Sequence, residues 1–298
     1  METRKRIIDI LTQVAFVGCC IFLCWFTFKA LQYTARIFFY DQFIAPTESM
    51  MPTLIPGDRI IVDKTLFGAR IYSDFNFNPE GGELASWRTR GRRKIRPNDV
   101  VVFNFPQHGG KINFVINHVY AKRCIAVPGD TLCIKDGFYQ NSNSEEAVGH
   151  LRSQELFAQM PDSFFRNGTL SAFPYDEHLS WTIKNMGPLY MPRKGDVVEI
   201  TPKEGVVYKK IIEWETGKEV SVDWDNSVVR CGGDSLKHYT FAHNFYFMGG
   251  DNVANSNDSR YWGLVPEEYI IGVATRISYS QDKQTGKKRK WRRWKKIL

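Results

Sequence analysis

The sequence predicts a mainly β soluble domain that follows a single N-terminal transmembrane helix. An uncharged run of 19 positions lies between Asp9 and Lys29. Beyond it, short β-branched segments alternate with turn residues, which is typical of strands. Hydrophobic residues make up 43% and charged residues 24% of the 298 positions, which excludes a mainly disordered or fibrous chain.

The uncharged run is the first predicted element. Val14 to Phe28 is almost wholly apolar, and a helix of this length extends for about 28 Å, close to the thickness of a hydrocarbon core. A cleaved signal would end in a small-residue site, but Lys29, Ala30 and Leu31 follow here. A soluble core helix rarely stays apolar on every face. We therefore predict a retained membrane span.

The orientation of the span follows from its flanking charges. Three basic residues precede it and two follow it: Arg4, Lys5 and Arg6, then Lys29 and Arg36. The positive-inside bias favours a cytoplasmic N-terminus, with the residues beyond about 40 on the exported side.

The exported part reads as short strands separated by tight turns. Five segments are predicted strands: 59–62, 99–103, 115–120, 195–200 and 271–274. Three Gly-Asp pairs predict turns before strands: 57–58, 129–130 and 195–196. The helical signal beyond the span is limited to 145–160, and polar loops or insertions are predicted at 73–96 and 140–181.

The net charge of +8 is concentrated at the C-terminus. Lys287 to Lys296 carries eight positive charges, so the rest of the chain is formally neutral. This distribution argues against nucleic-acid binding by the whole protein. Trp291 and Trp294 among these cations suit an anionic membrane interface, and a solvated terminus fits equally well. The cysteines form no CxxC motif or Cys/His cluster, so we expect no metal site.

The segment Pro46 to Leu54 (Pro-Thr-Glu-Ser-Met-Met-Pro-Thr-Leu) contains the candidate nucleophile, Ser49. A serine flanked by prolines is usually a turn residue. Its hydroxyl becomes a nucleophile only when a base removes the proton. A catalytic role for Ser49 therefore requires a base from elsewhere in the chain.

The candidate base is Lys122, at the end of a predicted apolar strand. A lysine at this position either reaches solvent or is buried beside Ser49. The usual lysine pKa of about 10.4 keeps the amine charged. Burial among apolar neighbours such as Phe103, Tyr120 and Met248 would lower that pKa and free the amine to act as a base.

A third segment is strongly polar. It reads Gly-Gly-Asp-Asn-Val-Ala-Asn-Ser-Asn-Asp-Ser-Arg from Gly249 to Arg260. A long surface turn held by Asx hydrogen bonds is one interpretation. Core packing does not explain a serine, an aspartate and an arginine at such short spacing, which favours a functional role.

Together these segments resemble the bacterial type I signal peptidases (leader peptidases), the membrane-bound serine proteases of the Ser/Lys-dyad class. The resemblance runs from Phe43 to about Ser280 and includes Arg96 to Phe103, where Asn98 replaces the usual glycine. It implies a signal-peptidase-like β catalytic core with an inserted β region, preceded by one transmembrane helix.

The resemblance also implies a division of the chain. Its parts are a basic cytoplasmic N-terminus (1–9), a transmembrane and juxtamembrane segment (10–40), an exported peptidase domain (41–280) with insertions at about 73–96 and 134–243, and a basic tail (281–298).

The resemblance implies specific roles in catalysis. Ser49 would be the nucleophile and Lys122 the general base. The Thr47 hydroxyl and the Ser49 backbone N–H would form the oxyanion hole. Glu48 departs from the small residue common in the family, and since a carboxylate would keep a nearby lysine charged, we expect it to point away.

Five further residues would support the dyad. Ser256 resembles the hydroxyl that orients the lysine. Asp258 and Arg260 resemble an ion pair that supports their loop, and Asp251 is expected to pair with Arg123.

The implied activity is removal of N-terminal signal peptides from exported preproteins through an acyl-enzyme. Cleavage would follow small residues of the Ala-x-Ala type. Seven residues would line the pockets: Ala45, Pro46, Met50, Leu54, Val102, Tyr120 and Ala121. The implied location is the bacterial cytoplasmic membrane, with a single span. Preproteins and the bilayer would be the partners, without cofactor, metal or nucleic acid.

Three other functions fit parts of the sequence. A self-cleaving repressor-type Ser/Lys protease would need a DNA-binding domain, and none is visible. A non-catalytic binder of exported proteins would have no need for Ser49, Lys122 and Ser256 together. A membrane-tethered nucleic-acid or lipid binder would depend on the tail, so deleting 287–298 is expected to leave cleavage largely intact if the chain is a protease.

Overall fold

The computed structural model describes residues 2–74, 78, 81–165, 169–282, 284–292 and 294–297. Parts of the predicted insertion at 73–96, of the polar segment at 140–181 and of the basic tail therefore lie outside the described residues.

The described residues form four α-helices. They are α1 (Glu2–Phe38), α2 (Leu151–Gln159), α3 (Pro202–Thr216) and α4 (Ser259–Trp262). Five 3-10 turns accompany them: Asp162–Phe164, Glu177–Leu179, Val253–Asn255, Glu267–Tyr269 and Lys290–Arg292.

Helix α1 has the properties of a membrane span. Within the described residues it is the one helix long and apolar enough to cross a bilayer, with a mean hydropathy of 2.3 and none of the apolar window buried. A soluble core helix would bury one face against the protein. The helix ends at Phe38 and the chain enters its first strand at Tyr40, so the soluble domain starts at the end of the helix.

The strands are short and numerous. In chain order they are β1 (Tyr40–Ile44), β2 (Asp58–Asp63), β3 (Arg70–Tyr72), β4 (Ser86–Arg88), β5 (Val100–Asn104), β6 (Gln107–His108), β7 (Lys111–Ile112), β8 (Val119–Ala126), β9 (Thr131–Lys135), β10 (Phe138–Asn141), β11 (Met186–Tyr190), β12 (Val197–Glu199), β13 (Val220–Asp223), β14 (Val228–Cys231), β15 (Asp234–Ser235), β16 (His238–Thr240), β17 (Phe245–Gly249), β18 (Val265–Pro266), β19 (Ile270–Ser280) and β20 (Lys295–Lys296).

One sheet organises the domain. Its strand order is β1-β2-β19-β5-β8-β17-β18, and β20 pairs with β19. The pairings are antiparallel, and Val101 of β5 lies opposite Lys122 of β8. On its other side β8 pairs with β17 only from Arg123 onward. The sheet thereby brings together segments more than 100 residues apart in sequence.

The predicted inserted region forms small separate sheets. Strands β9, β10 and β11 form one, β13, β14 and β15 another, and β12 pairs with β16. Helix α3 packs on β13 and β14. A Cβ added to Gly205 would lie 2.7 Å from Val229 Cγ2, so a glycine permits this close approach of helix and sheet.

Two apolar clusters form the core. The larger one fills the space between the main sheet and the inserted region. The smaller one lies under β1, β2, β5 and β19 and includes Met50, Leu54 and Val102. The segment that follows β1 is therefore anchored by its own buried side chains.

The mainly β fold class behind one apolar helix is confirmed, and most of the predicted elements are too. Strands cover 59–62, 100–103 of the predicted 99–103, 197–199 of the predicted 195–200, and 271–274. Helix α2 lies within 145–160. The glycines of the three Gly-Asp pairs have φ angles of 93°, 96° and 89°, as tight turns require.

Two predictions about elements were wrong. The strand predicted at 115–120 begins only at Val119, because Asn104 donates its side-chain amide to the carbonyls of Val115 and Ile116 and holds them in a turn. Lys122 therefore lies in the middle of β8 and not at its end. Helix α3 was not predicted, since its valines and isoleucines also fit a strand.

Candidate active site

Ser49 lies in a closed loop between β1 and β2. The Ala45 N–H donates to the Asp58 carbonyl at 2.8 Å, and the Gly57 N–H donates to the Ala45 carbonyl at 2.9 Å. Inside the loop, the Leu54 N–H donates to the Met50 carbonyl at 2.8 Å. These bonds join the two ends of the loop and hold Ser49, which is half-buried, away from the strands.

Lys122 extends from β8 into the protein and is only 3% exposed. Its Nζ donates to Ser256 Oγ at 2.9 Å and lies 5.9 Å from the centre of the Tyr120 ring. Burial lowers the pKa of Lys122 to about 8, because desolvation penalises the ammonium form; the nearby Asp258 opposes this shift. The amine is thus much easier to deprotonate than an ordinary lysine.

The polar segment after β17 joins these two elements. A Cβ placed on Gly250 would lie 2.0 Å from Ser256 Oγ and 2.6 Å from the Ser49 carbonyl oxygen. Asn252 donates its backbone N–H to the Ser49 carbonyl at 3.1 Å and its side-chain amide to the Glu48 carbonyl at 3.2 Å. The structure therefore brings Ser49, Ser256 and Lys122 into one site.

Asn252 was not singled out from the sequence. It belongs to the Gly-Asp-Asn motif of the polar segment, so its position in that motif could have identified it as a candidate site residue. The side chain of Glu48 is exposed, and it is not among the groups that act on the pKa of Lys122.

The hydroxyl of Ser49 lies 3.3 Å from that of Thr47. Among the described residues no hydrogen bond joins Ser49 Oγ to Lys122 Nζ, and none satisfies the Ser49 backbone N–H. Catalytic hydrogen bonds are often long in substrate-free enzymes and tighten when substrate binds. An unsatisfied N–H beside a hydroxyl is the arrangement that an oxyanion needs.

Two buried ion pairs hold the surrounding backbone. Arg123 and Asp251 form a bidentate pair with both distances 2.7 Å. Arg260 Nε donates to Asp258 Oδ1 at 2.8 Å, and Asp258 Oδ2 accepts the Gly250 N–H at 3.0 Å. Asp258 thus fixes Gly250, where an added Cβ would meet both Ser49 and Ser256.

The seven predicted pocket residues divide between the two sides of the main sheet. Four are buried in the smaller apolar cluster and one packs against it: Ala45, Met50, Leu54 and Val102, then Ala121. Tyr120 packs against the larger cluster on the lysine side. Pro46 is exposed at the start of the loop.

Ser49 and the desolvated Lys122 are both bound by the polar segment after β17, and this arrangement is typical of the serine hydrolases that can use an amine as base. Comparison with known proteins identifies the family. The profile of the signal peptidases, peptidase S26, matches residues 18–164 and 194–279. The chain belongs to this family, and it is a serine peptidase of the kind that removes signal peptides.

Relatives support the same family. A signal peptidase I of Buchnera aphidicola subsp. Baizongia pistaciae is 28% identical over 258 residues, which cover 84% of this chain and 73% of that protein. One from Helicobacter pylori is 28% identical over 261 residues, 82% of this chain and 77% of that protein. One from Pseudomonas aeruginosa is 28% identical over 250 residues, which cover 80% of this chain and 64% of that protein.

A crystal structure of a signal peptidase I from Enterococcus faecalis V583 is also similar. It is 20% identical and covers 61% of this chain and 97% of its own, with a TM-score of 0.30.

The lowered pKa of Lys122 predicts the pH dependence of kcat/KM. If Lys122 is the general base it must be neutral, so kcat/KM should rise with pH along a limb that levels off above about pH 8. An ordinary lysine would place this limb near 10.4. The measurement is a pH profile of peptide cleavage. The pKa of Lys210 is also lowered by burial, so Lys210→Met is the control and should leave the limb in place. A limb near pH 10 would contradict the prediction.

The close approach at Gly250 predicts the effect of adding a methyl group. Gly250→Ala should lower kcat by about 100-fold, because displacing a catalytic group by about 1 Å has this effect. The matched control is Gly249→Ala, whose Cβ would meet Ile125 Cγ1 at 2.9 Å on the core side. That variant should lose stability and keep its kcat. Equal kcat values for the two folded variants would refute the role given to Gly250.

Proposed function

We propose that the protein removes signal peptides from exported preproteins with Ser49 as nucleophile and Lys122 as general base. The observation that supports this proposal best is the buried Lys122 amine, whose pKa is lowered to about 8 and whose Nζ is fixed by Ser256. A pKa near 8 leaves about one amine in ten neutral at pH 7, against about one in 2,500 at the usual pKa.

Acylation begins when neutral Lys122 Nζ takes the proton of Ser49 Oγ. The oxygen attacks the scissile carbonyl carbon, and the carbonyl oxygen becomes an oxyanion. The Ser49 backbone N–H and the Thr47 hydroxyl donate to that oxyanion, and one such donor typically contributes about 10²–10³ in rate. The intermediate collapses as protonated Lys122 passes its proton to the leaving amine, which breaks the peptide bond.

Deacylation uses the same groups in reverse. Lys122, neutral again, removes a proton from water as the water oxygen attacks the acyl carbon. A second oxyanion forms in the same hole. When it collapses, the bond to Ser49 Oγ breaks and Lys122 returns the proton to that oxygen. Ser256 serves as a positioning residue, because its hydroxyl accepts a hydrogen bond from Nζ and fixes the amine.

Substrate binding is proposed to follow two strand edges. Strand β1 pairs with β2 on one side, and Val119 to Lys122 of β8 pair with β5 but lie outside the pairing with β17. An extended peptide adds readily to such edges. Leu54 and Val102, which are fully buried in the smaller apolar cluster, are proposed as the floor of shallow pockets that admit only small side chains of the Ala-x-Ala type.

The location of the site is proposed to be the membrane surface. Ser49 lies ten positions after Phe39, and an extended chain of that length reaches at most about 35 Å. We place 1–9 in the bacterial cytoplasm, 10–40 in and at the membrane, and the peptidase domain 41–280 on the exported side, with its insertions at about 73–96 and 134–243. Protease added outside spheroplasts should then digest the soluble domain; its full protection would reverse this orientation.

The dyad is tested by cleavage of a preprotein in detergent. Ser49→Ala and Lys122→Ala should each abolish cleavage, because one removes the nucleophile and the other the base. Lys210→Met is the matched control and should cleave like the wild type. Activity that survives in either dyad variant would overturn the assignment. Replacing the alanine before the cut with leucine should prevent cleavage by the wild type if the pockets are shallow.

The basic tail (281–298) is proposed to contact anionic lipid. Trp291 is 70% exposed and Trp294 is 55% exposed, and both stand among lysines and arginines. In proteoliposomes, Trp291→Ser with Trp294→Ser should reduce the gain in activity that phosphatidylglycerol gives, while activity in detergent stays the same. Phe164→Ser, at a residue that is 69% exposed in the inserted region, is the control. An unchanged response to the lipid would exclude this contact.

A further inference from the structure

An arginine of the C-terminal tail, Arg292, binds the loop that carries Ser49. Arg292 of the C-terminal tail is 2% exposed and Asp58 is fully buried. Arg292 Nε donates to both Asp58 carboxylate oxygens at 3.0 Å. A charge run at a terminus is usually solvated, so the burial of one of its arginines against a carboxylate 234 positions earlier is specific.

Asp58 is the residue that closes the Ser49 loop. Its carbonyl accepts the Ala45 N–H at 2.8 Å, and its carboxylate accepts the Ile55 N–H at 3.0 Å. Arg292 also reaches the loop directly, since its Nη2 donates to the Thr53 carbonyl at 2.8 Å. One guanidinium thus binds the loop at two points.

Thr53 accepts hydrogen bonds from two different guanidinium groups. Arg123 Nη2, which also pairs with Asp251, donates to the Thr53 hydroxyl at 3.2 Å. Arg292 donates to the carbonyl of the same residue. Two buried Arg–Asp pairs therefore meet four residues after Ser49 and hold the loop between them.

Other described residues of the tail pack on the same region. Strand β20 pairs with Arg276 and Ile277 of β19. Ile297 donates its N–H to the Thr275 carbonyl at 3.0 Å and packs against the smaller apolar cluster. The match to the family profile ends at residue 279, so this support lies outside the matched residues.

We propose that Arg292 is a positioning residue of the active site, which holds the Ser49 loop in its reactive geometry through Asp58 and Thr53. This inference rests on the proposed function of Ser49. It also changes an expectation drawn from the sequence. Deletion of 287–298 would leave Asp58 as a buried, unpaired carboxylate, so that deletion should impair cleavage and does not test whether the tail is separate from the peptidase.

The experiment uses the full chain in detergent. Arg292→Met combined with Asp58→Asn removes both charges together, so that no buried charge is left unpaired. We expect kcat to fall about 10- to 100-fold with KM nearly unchanged, because the loop loses its fixed geometry. Arg292→Lys keeps the charge without the planar fork and should recover part of the loss. Activity should still rise near the same pH as in the wild type, since these substitutions do not touch Lys122.

The matched control removes another bidentate pair, Arg93 with Asp99, whose distances are 2.6 and 2.8 Å. Arg93→Met with Asp99→Asn should keep the wild-type kcat. A second readout does not depend on activity: hydrogen exchange of the Leu54 and Ile55 amides should become faster in the Arg292 variants.

The outcomes separate the two proposals. If wild type and the Arg292/Asp58 double variant cleave equally well while folded, and the two amides exchange at the same rate, Arg292 only stabilises the fold and the inference is overturned. If the wild type cleaves no preprotein, the proposed function fails, and the exchange rates alone decide whether Arg292 holds this loop.

Discussion

The desolvation of one amine is the constraint on which the site depends. Lys122 is nearly inaccessible, and its burial outweighs the attraction of Asp258 and Asp251, so its pKa falls. Both carboxylates act to raise that pKa. Each is bound by its own arginine, Asp258 by Arg260 and Asp251 by Arg123. The carboxylates can therefore hold backbone groups without returning the lysine to its charged form.

The antiparallel sheet makes this burial available to residues that are distant in sequence. Strand β8 is central, with β5 paired to Val119 through Arg123 on one side and β17 paired on the other side only from Arg123. Lys122 thus comes just before the point where β17 joins. The chain leaving β17 turns there at Gly250, and the absence of a side chain lets Ser256 and Ser49 approach. The candidate catalytic residues come together because the free edge of β8, the turn at Gly250 and the Ser49 loop meet at one place.

The sequence could predict the parts of this site that depend on local motifs. Ser49, Lys122 and the polar segment were recognisable from short patterns and their order, and the strands from alternation and Gly-Asp turns. The start of β8 was not, because the Asn104 side chain decides it from another strand. Helix α3 depends on packing at Gly205. The ion pair of Arg292 with Asp58 could not be predicted from a run of basic residues, since only folding brings Asp58 close to Arg292.

The two ion pairs that hold the Ser49 loop also affect how a shallow pocket can be selective. One methylene in an apolar pocket changes binding by only about 1–3 kcal/mol, so discrimination is lost if the pocket floor can move. In the proposed pockets the floor would include Leu54, which lies between Thr53, bound by two guanidinium groups, and Ile55, bound by Asp58. A larger substrate side chain would have to displace backbone that buried ion pairs hold in place. Rigidity of this loop, more than contact area, would then exclude larger residues.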